Sequence, residues 1–249
     1  MTTRSGSVSE SEQVLIVVPA YNEARNLGPV LRSVRAAVPD ADVLVVDDGS
    51  ADETGAVARR AGASVVCHAF NLGYGAALQT GFKYALARRY EYVVHLDGDG
   101  QHEPSEIHDV LRALRAGTAD VVVGSRYLGR PPAWIGFARH WGSRCLALLT
   151  SRIAGQWITD PTSGFQGCNR RAVRFYAQDG YPVDYPDADV LIMLHRAGFR
   201  VVEVPVTMYG RASGRSMHAG ARVLYYGYKM MLAVALAAVG GWRRLGREV

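Results

Sequence analysis

The chain has 249 residues, 49% of them hydrophobic, enough to bury one sizeable core and to favour one large domain. Its net charge of +5 and pI near 9.2 fit an anionic partner, without separating nucleic acid, anionic lipid and phosphorylated substrate. Cys67, Cys145 and Cys168 lack metal-type spacing and their odd number argues against a disulfide framework, so a reducing, cytoplasmic setting is expected.

Residues 1–12 are rich in Ser, Thr and Glu, hold no apolar block of the kind a secretion signal needs, and read as a disordered tail. Apolar, β-branched runs over 14–19, 43–48, 64–68 and 92–97 then alternate with helical patterns over 26–38, 52–61 and 75–89, as in a parallel α/β sheet. Ser50 followed by Glu53 has the spacing of a capping box, and Gly62 ends that helix. A helix starts near Pro104 and a strand over 120–124 follows it. Beyond residue 130 come helices with interrupting loops and one late strand over 200–206, so a nucleotide half and an acceptor half are expected to share one sheet. Arginines concentrate after residue 110.

Ligands of open parallel sheets collect outside the carboxyl ends of the strands, so the polar residues that close each apolar run are the informative ones. The first run gives Pro19, Tyr21, Asn22 and Glu23, the second Asp47 and Asp48, the fourth Asp97, Asp99 and Gln101. Asp97 and Asp99, with Gly98 and Gly100 permitting a tight path, are two carboxylates that repel unless a cation or proton intervenes. Hard oxygen donors suit Mg²⁺ or Mn²⁺ with substrate phosphate oxygens completing the shell, and Gln101 can add a neutral oxygen. Asx turns and helix capping are the bland alternative, but a turn needs one Asp rather than two and a Gln. Asp47 at a strand end can accept a hydrogen bond from a ribose hydroxyl or a base N–H. Pro19 stops the pairing of the first strand, Tyr21 can stack on a base, and Glu23 either joins that pocket or complements the positive start of the next helix. The glycines of NLGYGAAL serve either a nucleotide phosphate or close packing; the third glycine of a dinucleotide fingerprint is absent.

PAYNE, VDDGSADET, NLGYGAAL, DGDGQH and GSRY, in this order, resemble family 2 glycosyltransferases of the GT-A fold, a Rossmann-like, mostly parallel central sheet flanked by helices. Within that family the chain is similar to polyprenyl phosphate glycosyltransferases of the dolichol phosphate mannose synthase type. The resemblance spans residues 13–220 and implies an inverting, metal-dependent transfer from a UDP- or GDP-sugar to a polyprenyl phosphate. By the same resemblance, Asp47 holds the nucleotide, Asp97, Asp99 and Gln101 organise Mg²⁺ or Mn²⁺, and Pro19, Tyr21 and Glu23 line the base pocket. Arg126 faces the acceptor phosphate, Arg139 and Ser143 meet the lipid phosphate, and Arg211, Arg215 and Ser216 close over the diphosphate. Relatives often carry a second basic residue after that Ser, where this chain has Met217. Arg139 as a plain surface charge remains the alternative. Asp160 opens the acceptor-side loop or pairs with Arg170 or Arg171, while Asp187 and Asp189 cap a helix or, for a sugar hydroxyl acceptor, supply a base.

Residues 221–249 carry a short apolar core, 230–238, with flanking Tyr and Trp and with Arg243, Arg244 and Arg247. This is too short to span a bilayer, which takes roughly 20 apolar residues, and reads as an amphipathic interfacial helix with a basic tail, or as a terminal helix packed on the domain. The expected partners are a nucleotide diphosphate sugar, a polyprenyl phosphate and the cytoplasmic face of a membrane, with peripheral attachment and no nucleic acid; a homo-oligomer stays open. The other readings are transfer to a sugar hydroxyl of a glycan and a non-catalytic nucleotide-sugar-binding protein at the membrane.

Overall fold

The computed structural model describes residues 13–128, 137–184, 186–210, 232 and 234, with the backbone alone for 137–140. The expected tail over 1–12, the phosphate-closing Arg211, Arg215 and Ser216, and the interfacial helix over 221–249, apart from Leu232 and Val234, lie outside the described residues. Among the described residues the strands are β1 (Val14–Ala20), β2 (Asp42–Asp47), β3 (Ser64–Cys67), β4 (Tyr92–His95), β5 (Val121–Ser125), β6 (Gln166–Asn169) and β7 (Val201–Pro205). The helices are α1 (Ala24–Ala37), α2 (Thr54–Arg60), α3 (Tyr74–Ala87), α4 (Ile107–Arg115), α5 (Phe137–Ala154), α6 (Arg170–Tyr176) and α7 (Ala188–Arg196), with a short 3₁₀ turn, Pro104–Glu106, before α4.

One sheet runs β3-β2-β1-β4-β6-β5-β7. Pairing is parallel except for β6, which lies antiparallel between β4 and β5. The order follows from right-handed crossovers. Chain progress from β1 to β2 to β3 runs one way, so α1 and α2 cover one face; the step back to β4 reverses direction and puts α3 on the other. Leu27, Val30, Leu31 and Val34 of α1, Ala58 of α2 and Ile107, Val110 and Leu114 of α4 accordingly bury with Ile16, Val18, Val43 and Val45. On the opposite face, Ala77, Leu78 and Phe82 of α3 bury with Leu15, Val17, Leu44 and Val46. The reversal opens a crevice between the carboxyl ends of β1 and β4, where ligands of such sheets bind.

Three expectations need correction. β1 runs through Pro19 to Ala20, with Pro19 opposite Val46, because the pairing at that point asks no N–H of the proline. The capping box over Ser50 and Glu53 does not form: α2 starts at Thr54, Glu53 makes no side-chain cap bond, and Asp52 accepts from the Thr54 N–H at 3.0 Å. Ser50 is used elsewhere, accepting the Asn22 N–H at 2.9 Å. The third correction is β6, absent from the sequence pattern because QGCN carries no β-branched run. Its Gly167 passes beneath α4, where a Cβ would stand 2.3 Å from Val110 Cγ1.

Gly73 and Gly75, at the start of α3, serve packing. A Cβ on Gly75 would lie 1.9 Å from the Pro182 carbonyl oxygen. Gly73 has φ 106° and donates its N–H to Asp48, and the Ala76 N–H goes to the Val183 carbonyl, so the first turn of α3 is already engaged. Gly75→Ala is expected to cost about 1–3 kcal/mol by forcing α3 off the 182–183 segment. A denaturant midpoint equal to that of the unaltered protein would contradict it.

Candidate active site

The first two βα loops are sewn together. Asn22, in the left-handed region at φ 55°, accepts the Ala51 N–H through its side chain at 2.9 Å; an Asn tolerates that backbone better than most residues. The Glu23 N–H donates to Thr54 Oγ1 at 2.9 Å and the Ala24 N–H to Asp52 at 3.2 Å. Pro19 is buried within β1, Tyr21 stands exposed beyond it, and the Glu23 carboxylate accepts from Asn26 Nδ2 at 2.6 Å at the start of α1.

The two aspartates closing β2 part company. Asp48 is buried and accepts from the Leu72 and Gly73 N–H groups at 2.8 and 2.9 Å, with His68 Nδ1 at 2.7 Å, so it clamps the segment leading into α3. Asp47 turns to the start of α2 and to β3, where one oxygen accepts the Ser50 N–H at 3.0 Å and the other has the Cys67 thiol at 4.0 Å. Gly55 makes the room, since a Cβ there would stand 2.7 Å from Asp47 Oδ2.

Asp97 and Asp99 follow β4 at the crevice. Asp97 Oδ1 accepts the Tyr74 hydroxyl at 2.8 Å, and Oδ2 lies 3.4 Å from His102 Nε2. Burial pushes the Asp97 carboxyl up, but the bonds from His102 and Tyr74 outweigh it and hold it below the usual range. Burial and the Asp97 charge push the Tyr74 hydroxyl well above its ordinary value, so it stays a donor. Behind them His95 is held to about 4 by burial and is neutral. Gly164 approaches from the acceptor side, where a Cβ would stand 2.9 Å from Asp97 Oδ2. Asp99, 8% exposed, accepts the Gln101 N–H at 3.0 Å across the Gly100 turn. Gln101 Nε2 donates to the Tyr209 carbonyl at 3.0 Å, leaving the amide oxygen as the end that can turn to a cation.

Among the described residues no three His, Cys, Asp or Glu side chains cluster as a complete metal cage. Two hard carboxylates in a partly open crevice fit the other arrangement, in which Mg²⁺ or Mn²⁺ takes one or two carboxylates and finishes its shell with substrate phosphate and water. Tyr74→Phe removes the bond that orients Asp97 and is expected to weaken cation-dependent activity about 10-fold, at the lower end for loss of a group that orients a ligand. Unchanged cation dependence would contradict that role.

Arg126, just after β5, forms a buried ion pair with Asp160. Its Nε and Nη2 donate to the two Asp160 oxygens at 2.6 Å each, and Nη2 also reaches Thr162 Oγ1 at 2.8 Å. Burial lowers and the Asp160 bonds raise its pKa, with a net rise, so it stays charged. The expectation that Arg126 faces an acceptor phosphate is thereby narrowed to Nη1, which rests 3.8 Å from Met208 Sδ. Asp160 pairs with Arg126 rather than with Arg170 or Arg171; Arg171 and Arg200 both bind Asp120. Glu203 of β7 holds this turn from behind, accepting the Thr159 and Asp160 N–H groups at 2.9–3.0 Å. Asp187 precedes α7 without a side-chain cap bond, so capping does not explain it, and its charge acts on Tyr74 and Arg126 at the crevice. Asp189 is buried and accepts the Asp187 N–H at 3.1 Å. Arg139 lies in α5 with its side chain outside the described residues, while Ser143 Oγ is buried there with no hydrogen-bond partner among the described residues.

Sequence reasoning missed Tyr74, Glu203 and the Arg126–Asp160 pair. The pairs join residues 23, 34 and 43 positions apart, and no local spacing announces them.

The family described as Glycosyl transferase family 2 matches residues 15–176. A polyprenol monophosphomannose synthase of Mycolicibacterium smegmatis is 34% identical over 232 residues, covering 87% of this chain and 85% of the relative. An undecaprenyl-phosphate mannosyltransferase of Micrococcus luteus is 36% identical over 220 residues, covering 84% of this chain and 88% of the relative. Among solved structures, a glucosyl-3-phosphoglycerate synthase of Mycobacterium tuberculosis, crystallised with Mn²⁺ and UDP, superposes with a TM-score of 0.69 at 20% identity, covering 92% of this chain and 80% of that one. At that identity the likeness is one of fold.

Proposed function

The chain belongs to glycosyl transferase family 2, and we propose that it moves a sugar from a nucleotide diphosphate carrier to a polyprenyl phosphate with inversion at the anomeric carbon. The observation that carries this reading is the position of Asp97 and Asp99 at the sheet's switch point, with Asp47 closing β2 at the same edge of the sheet. The two mannosyltransferases similar to this chain support the choice of acceptor.

Asp47 accepts from the base or ribose, Tyr21 covers the base, and Pro19 and Glu23 border it. Asp97 and Asp99, assisted by Gln101, hold Mg²⁺ or Mn²⁺, which when bound neutralises charge on the departing diphosphate. Tyr74 and His102 keep the Asp97 carboxylate ionised and aimed. Arg126 presents Nη1 towards the acceptor side, and Arg139, Arg211, Arg215 and Ser216 are the further phosphate contacts. The acceptor phosphate is already ionised near neutral pH, so the chain needs no base to activate it. Positioning and charge stabilisation supply the rate. The protein acts peripherally at the cytoplasmic face of a membrane, through residues that include 221–249. No helix among the described residues is long and apolar enough to cross one.

The test is nucleotide release from UDP- and GDP-sugars with Mg²⁺ or Mn²⁺, with and without a polyprenyl phosphate in detergent. Release that requires both cation and lipid phosphate is expected; release indifferent to either contradicts the reading. A second reading, transfer to a sugar hydroxyl, is favoured by Asp187, whose charge acts on Tyr74 and Arg126 at the crevice. It predicts a rate that climbs with pH and falls in Asp187→Asn, whereas the lipid phosphate reading predicts little change in either.

A further inference from the structure

Three polar side chains converge on the bare face of Gly55 in α2. The parallel register sets Cys67 of β3 beside Asp47 of β2, so the two side chains leave the same face of the sheet. Arg59, one helical turn beyond Gly55, leans back over it. A Cβ on Gly55 would stand 2.7 Å from Asp47 Oδ2, 3.5 Å from Arg59 Nη1 and 3.6 Å from Cys67 Sγ. Asp47 is buried while Arg59 and Cys67 are exposed, so the group opens to solvent at its cationic end.

The bonds within this group are weak. Asp47 Oδ2 has the Cys67 thiol at 4.0 Å, and Arg59 Nη2 donates to the same sulfur at 3.3 Å. The neighbouring Arg60 pairs with Glu53 at 3.2 Å, whereas Arg59 forms no ion pair among the described residues. Sulfur is a poor acceptor beside an oxygen, so the guanidinium retains its capacity for a carbonyl and Oδ2 retains its capacity for an N–H. Asp47 Oδ1 is already turned to the Ser50 N–H.

A carboxylate oxygen next to a guanidinium is complementary to an N–H next to a carbonyl. Uracil and guanine both carry that pair on the ring edge. Cytosine and adenine carry the reverse, a ring-nitrogen lone pair beside an amino group, which would set lone pair against carboxylate and amino group against cation. We propose that Arg59 reads the base carbonyl and, with Asp47, restricts the donor to nucleotides whose base has an N–H beside a carbonyl. This rests on the reading of Asp47 as an acceptor for the base and adds the residue that discriminates between bases.

The experiment is calorimetric titration of UDP, GDP, CDP and ADP, with Mn²⁺, into the full chain and its Arg59→Met, Arg59→Lys and Asp47→Asn variants. UDP against CDP is the strict comparison, because the two bases are equal in size, and the UDP and GDP arms name the base. UDP is expected to bind about 100-fold more tightly than CDP, the scale of two charge-assisted bonds. Arg59→Met is expected to lower that ratio about 10-fold, the share of one such bond, and Arg59→Lys to keep part of it. A purely structural role for Arg59 would weaken both nucleotides alike and leave the ratio unchanged, which overturns the proposal. A ratio kept in Arg59→Met but lost in Asp47→Asn would leave the Asp47 reading standing without Arg59, and a ratio kept in both would overturn the two together. A second measurement leaves the site intact: in Cys145→Ser, UDP is expected to slow alkylation of the exposed Cys67 at a far lower concentration than CDP does. Equal protection by the two overturns the proposal.

Discussion

Asp99→Ala is expected to lower kcat by about 10²–10³, the loss typical when a group that stabilises transition-state charge is removed from a preorganised site. The expected melting temperature is close to that of the unaltered protein. The reason lies in placement: Asp99 stands on the loop after β4, where its carboxylate accepts the Gln101 N–H two residues away. Removal of divalent cations with a chelator should reproduce the loss in the unaltered enzyme and leave the variant almost unchanged, because both act on one element. Independent, multiplying losses would mean that the cation and Asp99 serve different steps.

Asp160→Ala is expected to have the largest effect on stability. Asp160 is fully buried and Arg126 is 11% exposed at its side chain, so the variant strands a charged guanidinium that stays protonated. Breaking a buried pair from one side costs about 3–5 kcal/mol, chiefly from the unpaired charge. For a chain of this length that corresponds to a fall in Tm on the order of 10 °C. Replacing both partners, as in the Arg126→Met, Asp160→Leu double variant, removes the charge with its counter-ion and should recover much of the loss. Calorimetry on the two variants decides it, and a double variant no more stable than Asp160→Ala would mean that Thr159, Thr162 and Glu203 depend on the carboxylate itself.

Features written into short stretches were legible from the sequence. β1, β2 and β4 announce themselves as β-branched runs, and strand ends collect ligands, so Asp47, Asp97 and Asp99 stood out before any contact was known. What remained hidden depends on distant contacts. Asp47 and Asp48 are adjacent and chemically identical, yet the pleat sends one to Ser50 and Cys67 and the other to the 68–73 segment. Ser50 and Glu53 have the spacing of a capping box, but the Asn22 backbone competes for the serine hydroxyl and Asp52 takes the Thr54 N–H. β6 is legible only once β4 and β5 flank it, since its four residues are strand by pairing rather than propensity. Asp187 looked like a cap because of where α7 starts, and only the side-chain geometry separates it from Asp189.

The most direct test of the account is the mass of the lipid after incubation of the protein with a UDP- or GDP-sugar, Mg²⁺ or Mn²⁺ and a polyprenyl phosphate in detergent. A lipid heavier by one sugar, with the sugar on the phosphate, formed only when the cation is present and lost in Asp99→Ala, is the predicted result. Unmodified lipid alongside a glycosylated carbohydrate acceptor, or product formed equally well by Asp99→Ala, would contradict it.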